Sequence, residues 1–435
     1  MTRLAGSSKL LRAMNASAAL AHLFEQGRLT RSDLRKLTDL STPTISEVLR
    51  RLTDAGLVSV VGYHKGRPGP NAEIYAVDPT AAYAAAVSVR DIGTSRAPAI
   101  VAALCDLTGT VRARIEHHVD FLRTDPCTAI SEAVTTLRAK AGVDADSIHH
   151  VQLAIAGSYD TRAETIRHVE IPGLGRPGLI PETAAALGTQ VGVDNDVNLA
   201  AVAERRRGAG RDADSFALLW LGQDGLGLAI DIAGTLMRGA RGGAGEIGYM
   251  PLYAPGSTHR KIDLQDLIGG AAIMALGRDH NIPGTTPADI ITAATTPTPE
   301  PPALRPATPD PAAPHQPTSD AAAPHQPTSD AAVGVAAGPR ASEFVGEFAD
   351  RIAVGLAAVI AVLDPSLVVL AGPIAQAGGD PLLAAVQAAL ERAAPLESTI
   401  SRTSVTDDAV LLGALDAGLT AVREDLIAAI RDNQS

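Results

Sequence analysis

Residues 219–230 read Leu219-Trp220-Leu221-Gly222-Gln223-Asp224-Gly225-Leu226-Gly227-Leu228-Ala229-Ile230, an apolar run, a glycine turn and a second apolar run. Gly234 follows, and then Arg238-Gly239-Ala240-Arg241-Gly242-Gly243-Ala244-Gly245-Glu246-Ile247-Gly248-Tyr249. Two strands joined by glycines let backbone amides approach a ligand closely, because no Cβ stands in the way. The glycine-laden loop after them delivers Glu246 to the same cleft. A lone glycine pair would say little. The whole run from 219 to 249 is specific.

Upstream, Val191-Gly192-Val193-Asp194-Asn195-Asp196-Val197-Asn198 passes from a strand into a helix. Carboxylates and amides gathered at a strand's carboxyl end offer the alternating acceptors and donors that polyhydroxylated ligands require. An Asp there can also act as a base towards a hydroxyl. The plainer reading of the same residues is a helix N-cap cluster. Further upstream, 84–90 reads as a buried strand leading into Asp91-Ile92-Gly93-Thr94-Ser95, and a second strand from Ala99 ends at Asp106-Leu107-Thr108-Gly109. An Asp with a Gly-Thr turn between antiparallel strands can hold phosphate on backbone N–H groups, with the carboxylate on a metal. A solvent-exposed hairpin fits that stretch equally.

The first 75 residues differ in charge from the rest. They hold 11 Lys and Arg against 6 Asp and Glu, whereas the whole chain carries a net charge of −11. A basic head on an acidic body suggests that the head alone meets a polyanion. Residues 9–26 read as a helix with Leu10, Leu11, Met14, Leu20, Leu23 and Phe24 near a 3.6 period. Thr30-Arg31-Ser32-Asp33 looks like a capping box. Ser41-Thr42-Pro43 opens a third helix that Gly56 stops. Ile45, Val48, Leu49 and Leu52 face inward there, which leaves Thr42, Thr44, Ser46, Glu47, Arg50 and Arg51 outward. This is helix–turn–helix spacing, which places the third helix in a major groove. Two β-branched runs, 57–61 and 73–77, then flank a loop carrying Lys65 and Arg67, a wing suited to phosphates or a narrow minor groove.

At 435 residues with 46% hydrophobic and 20% charged side chains, the chain can bury real cores, mostly of Ala, Val and Leu since aromatics are only 3%. No apolar run reaches a membrane span, and the N-terminal stretch lacks a signal-peptide core, so a cytoplasmic location is expected. Two cysteines, Cys105 and Cys127, exclude a disulfide scaffold. Residues 295–340 hold 12 of the 29 prolines and repeat Ala-Ala-Pro-His-Gln-Pro-Thr-Ser-Asp at 312–320 and 322–330. That composition predicts a disordered insertion, with His315 and His325 products of repeat expansion rather than metal ligands. Helices are expected over 341–362, 382–394 and 410–430, with a strand at 367–370 before Ala371-Gly372-Pro373.

At these residues the chain resembles the ROK family (repressors, open reading frames, kinases), in its transcriptional-regulator branch. The resemblance implies an α/β, two-lobed, actin-like sugar-kinase fold behind a small winged helix–turn–helix. It divides the chain into residues 1–78, a first lobe at 79–190 and a second at 191–435, with the proline-rich insertion inside the second. It also implies a sugar cleft between the lobes in which Asn195, Asp196 and Glu246 meet hydroxyls, Asp196 being the base in family kinases. Tyr249 stands where the family has His, and Gln265 where it closes a cysteine motif with Glu. The nucleotide loops are matched by Asp91, Gly93 and Thr94, by Gly222, Gly225 and Gly227, and by Gly372, in altered form. The cysteines of the family's zinc motif are missing, and His259 alone cannot make a tetrahedral site. No metal, ATP or Mg²⁺ is therefore expected. The reading is a DNA-binding regulator, a repressor by family weight, responding to a sugar or sugar phosphate. It would bind double-stranded operator DNA as a homodimer or dimer of dimers. The alternatives are a sugar kinase that also binds DNA, and a regulator whose cleft takes no sugar.

Overall fold

Thr30 and Ser41 set the geometry of the head. The computed structural model of the protein describes residues 3–64, 72–90, 98–252, 262–296, 338–393 and 397–432. Helix α1 is Arg3–Gln26, strand β1 Arg28–Thr30, helix α2 Arg31–Thr38 and helix α3 Thr42–Asp54, followed by β2 (Val58–His64) and β3 (Ala72–Val77). Thr30 and Asp33 form the expected capping box, and the Ser41 hydroxyl accepts the Thr44 N–H at the start of α3. The three strands pair in the order β1-β3-β2, all antiparallel. Leu20, Leu23, Leu34, Ile45, Leu49 and Leu52 are all buried, at roughly 1.5–3 kcal/mol each. Two expected core residues of α1 are not in the core. Leu11 and Met14 are more than half exposed, and Ala13, Ala16 and Ala19 face inward instead. Small side chains let α1 lie close to its neighbours. The 3.6 period alone could not choose between these two stripes.

The body begins with β4 (Tyr83–Arg90), β5 (Ala99–Asp106) and β6 (Val111–His118), then α4 (Pro126–Ala141) and β7 (Ile148–Ile155). A short hairpin, β8 (Ser158–Asp160) and β9 (Thr165–Arg167), leads to α5 (Leu179–Leu187), β10 (Gln190–Asn195) and α6 (Asp196–Arg207). The sheet order is β10-β7-β4-β5-β6, with β4, β5 and β6 antiparallel and β7 and β10 parallel to β4. The second half repeats this plan. It comprises β11 (Ser215–Leu221), β12 (Leu226–Ile232) and β13 (Thr235–Leu236), then α7 (Leu264–Ile268), α8 (Gly270–Asp279), α9 (Pro287–Thr295) and α10 (Pro339–Leu363). It ends with β14 (Leu367–Ala371), α11 (Pro373–Ala393), β15 (Thr399–Arg402) and α12 (Ala409–Asp432). Its order, β13-β12-β11-β14-β15, has the same antiparallel and parallel pattern.

The two halves exchange their last helices. Helix α6 follows the first sheet but packs on β12, and α12 follows the second sheet but packs on β4 and β7. The two helices cross closely, since a Cβ on Gly413 would lie 1.7 Å from the Leu199 carbonyl. Arg207 of α6 is ion-paired with the buried Asp416 of α12. The lobe division expected at 190/191 is corrected accordingly, because β10 completes the first sheet and α12 returns to it. Periodicity cannot show which sheet a helix covers.

Helix α11 also starts earlier than expected, at Pro373, and is kinked at Gly379. Helices α9 and α10 end and begin at Thr295 and Pro339, so the ends of the expected 295–340 insertion are helical, while 297–337 lies outside the described residues. Among the described residues no helix is long and apolar enough to cross a membrane.

Candidate functional site

A cleft of about 970 Å³ lies between the two sheets. The carboxyl ends of β4, β7 and β10, the first turn of α6, the glycine turn between β11 and β12 and the start of α11 all reach its walls.

Asn195 and Asp196 sit at the junction of β10 and α6. The Asn195 carboxamide oxygen accepts the N–H groups of Val197 (2.8 Å) and Asn198 (3.3 Å), and its nitrogen donates to the Gly157 carbonyl (3.1 Å). Asn195 is therefore the N-cap of α6, and it also lines the cleft beside Asp196. Asp196 faces the cleft from the helix's first turn, where the dipole favours an anion. Burial pushes its carboxyl up to about 6, against the Val197 N–H and the Arg90 guanidinium, which lower it, and Glu246 adds to the rise. Asn198 is buried and donates to Asp194 (3.0 Å).

Glu246 reaches the cleft from the other lobe, and burial raises its carboxyl too while His168 opposes the rise. Gly245 makes this possible. It has φ 89°, and a Cβ there would fall 1.8 Å from the Leu228 carbonyl. Tyr249 is 58% exposed at the mouth, with its hydroxyl 3.4 Å from His168 Nδ1 and the rings 5.3 Å apart. His168, in left-handed conformation after β9, and Glu170 line the cleft and carry no local sequence signal.

Arg238 carries no such signal either. It grips buried Asp194 through Nε at 2.8 Å and so ties the glycine loop to β10 across 44 positions of sequence.

Gln265 does not present its amide to the cleft as a free ligand. Its oxygen accepts the Leu226 N–H (3.1 Å) and its nitrogen donates to the Asp224 carbonyl (2.5 Å), clamping the glycine turn. That turn holds Gly222, Gly225 and Gly227, with Gly222 N–H bonded to the Gly225 carbonyl at 3.0 Å. Gly227 packs on Val197 of α6. Gly372 follows β14, and Pro373 after it has no N–H to give a phosphate.

Asp106 is spent on its own turn, accepting Thr108 N–H (2.9 Å), Thr110 N–H (3.1 Å) and Arg112 Nε (2.7 Å). Asp91, Gly93 and Thr94 lie outside the described residues.

The residues present do not fit the family's zinc. Tyr249 stands where the resemblance places a His, no cysteine occurs between 250 and 265, and both cysteines of the chain are buried in β5 and α4. Position 259 lies outside the described residues. Among the described residues Asp125, Cys127 and Glu182 converge, but Arg176 is paired with both carboxylates.

On α3, Thr42 is exposed, and Thr44 and Ser46 are partly exposed. The Ser46 hydroxyl donates back to the Thr42 carbonyl at 2.9 Å. Arg50 and Arg51, expected to face DNA, are both engaged in ion pairs on α3 itself. Arg50 holds Glu47 through Nε (3.0 Å) and Nη2 (2.9 Å) and Asp54 through Nη1 (2.6 Å), and Arg51 holds Glu47 through Nε (2.6 Å). Their i, i+3 and i, i+4 spacings put partners on one helix face. Lys65 and Arg67 of the wing lie outside the described residues.

A winged helix–turn–helix leads a duplicated two-sheet body of the actin-like sugar-kinase kind. Residues 91–296 match the ROK family and residues 18–59 a winged helix–turn–helix DNA-binding family. The ROK match spans just under half of the chain's 435 residues. The chain is 44% identical over 73 residues to a beta-glucoside kinase of Listeria innocua, a match covering 17% of this chain and 24% of that relative, so it spans only about a quarter of the relative's length.

Among solved structures it is similar to a ROK family transcriptional regulator described as a homologue of the E. coli MLC protein. That likeness has a TM-score of 0.68 and 17% identity and covers 97% of this chain and 99% of that one. A ROK family glucokinase from Streptomyces griseus, in complex with glucose and AMPPNP, gives a TM-score of 0.53 at 20% identity, over 78% of this chain and 99% of that one. At these identities the structures establish the fold.

Proposed function

We propose that the protein is a transcriptional regulator whose head holds duplex DNA and whose cleft senses a sugar. The observation that carries this reading is one continuous core. Leu20, Leu23, Leu49 and Leu52 of the head, Leu415, Leu419 and Val422 of α12, and Val197 and Leu199 of α6 belong to a single buried cluster. Arg423 of α12 stacks over the Phe24 ring at 3.9 Å and donates to the Leu107 carbonyl at 2.9 Å.

Asp196 stands in the first turn of α6, next to Val197 of that cluster, so cleft and head are joined through one crossed helix pair. A ligand that changes the angle between the sheets moves α6 against α12 and, through α1, the head. Such coupling requires different ligand affinities in the two states, typically about 1–3 kcal/mol.

Asp196 and Glu246 both bring carboxylate acceptors to the cleft, and sugar hydroxyls supply the donors that such acceptors take. Operator duplex, a sugar or sugar-phosphate effector and a homodimer or dimer of dimers are the partners this reading implies, and repression is its expected sign. It uses no metal or nucleotide.

The test is fluorescence anisotropy of the chain on its own upstream DNA across salt and a sugar panel. Salt-sensitive, sequence-selective binding that one sugar alters is expected. Selective binding that no sugar moves would refute the sensing half.

A second reading, sugar kinase, is favoured by Asp196, whose carboxyl near 6 suits a base towards a hydroxyl. Pro373 and the clamped Gln265 oppose it. Sugar-dependent ADP release that Asp196→Asn abolishes would establish it, and release at background would exclude it.

A further inference from the structure

The outward face of α3 is electrically balanced. Between Thr42 and Asp54 its charged residues are Glu47, Arg50, Arg51 and Asp54, two of each sign. One carboxylate, Glu47, takes three of the four guanidinium bonds on that face, two from Arg50 and one from Arg51. Hydrogen bonds from Arg50 first, and then Arg51, hold its carboxyl down to about 2, so it stays ionised wherever duplex DNA is stable. Glu47 is itself 43% exposed, on the same side as Arg50, which is 60% exposed. An ionised carboxylate has no donor for a phosphate and is repelled by its charge. It can accept from the N4 amino group of cytosine in the major groove.

We infer that Glu47 is a specificity-determining residue of the DNA face. It withholds Arg50 and Arg51 from phosphates of arbitrary sequence and releases them only where a cytosine amino group takes their place on its oxygens. The inference rests on the DNA-binding reading given above. On random duplex no donor replaces the guanidiniums, and releasing them leaves a bare carboxylate beside the backbone. Non-specific affinity is thereby held low, which widens the ratio of specific to non-specific binding. Discrimination of this kind comes from an unfavourable element aimed at the wrong partner.

Counterion release makes this measurable, because each phosphate contact contributes about 0.9 to the slope of log K against log salt. Glu47→Gln keeps the shape and a neutral acceptor oxygen but removes the charge, so Arg51 loses its ionic partner while Arg50 keeps Asp54. Its slope on a labelled random-sequence duplex, read by anisotropy on the full chain, is expected to be steeper than wild type by about 0.9. For Glu47→Gln with Asp54→Asn, which frees both cations, the expected increase is about 1.8. Raising salt from about 50 to about 200 mM then costs the double variant roughly tenfold more affinity than wild type.

A structural role for Glu47 would shift the melting temperature and not the slope, so both are measured. Selection from a random duplex library should give a wild-type motif with a cytosine position that Glu47→Gln no longer requires. Parallel slopes from folded variants, with wild type binding the duplex, would overturn this inference alone. If neither wild type nor variants bind any duplex at the lowest salt, the DNA reading falls and this inference with it.

Discussion

Replacing Asp196 by Asn should stabilise the protein while destroying what its cleft does. The carboxyl is raised from its ordinary 3.8 to about 6, chiefly by burial. A folded value above the unfolded one means the native state binds a proton more tightly than the unfolded chain. Asp196 therefore adds stability as pH falls from about 6 towards 4. Above both values its buried charge costs about 1.36 kcal/mol for each tenfold gain in proton affinity, or about 3 kcal/mol in all. Solvent reaching the partly exposed side chain screens some of this and leaves on the order of 1–3 kcal/mol. Asn keeps the acceptor for the Val197 N–H, now 2.8 Å from the Asp196 oxygen, and carries no charge.

Urea unfolding of both proteins should then show the variant ahead by about 1–3 kcal/mol at pH 7.5, the gap closing towards pH 4.5. The difference between the two proteins isolates this one group from everything else that titrates. A gap that stays constant with pH, or a variant less stable at both ends, would refute the reasoning.

The remaining expectations concern coupling and the scaffold of the site. Phe24→Ala removes the ring under Arg423 and should cost about 1–3 kcal/mol while leaving DNA affinity within a few fold. Any effect of a bound sugar on DNA should shrink, and titrating DNA with and without sugar checks this. Gly245→Ala puts a methyl 1.8 Å from the Leu228 carbonyl at φ 89° and should lower stability by at least about 2 kcal/mol. It should also abolish sugar binding, as seen by calorimetry. Gln265→Glu restores the family's residue but cannot donate to the Asp224 carbonyl, so a loss of about 1–3 kcal/mol and no gain of kinase activity are expected.

The head was legible because its signals are local. Thr30 with Asp33, Ser41 before Pro43, and the inward stripe of Ile45, Val48, Leu49 and Leu52 each act within a few residues, and the structure has them all. The strand, turn, strand and glycine loop from 219 to 249 were legible for the same reason, since a glycine marks a backbone demand wherever it stands. The roles of the polar residues were not. Asn195 and Gln265 carry amides that a sequence reader assigns to a ligand, and the fold spends both on backbone groups, one on its own helix and one 39 positions away.

By itself the sequence determined the order of elements, the winged head, the glycine-built cleft and the approach of Asp196 and Glu246 to it, because periodicity, caps and glycines work through short-range sterics. Only the tertiary structure decided that α6 and α12 exchange sheets, that Arg238 holds Asp194, that His168 meets Tyr249, and that Glu47 engages both arginines of α3. Most of those contacts join residues far apart in the chain. Even the Glu47 cluster, local in sequence, depends on which rotamers the packed helix leaves open. Such pairings are set by packing and by competition among donors and acceptors across the whole molecule, which no window of sequence contains.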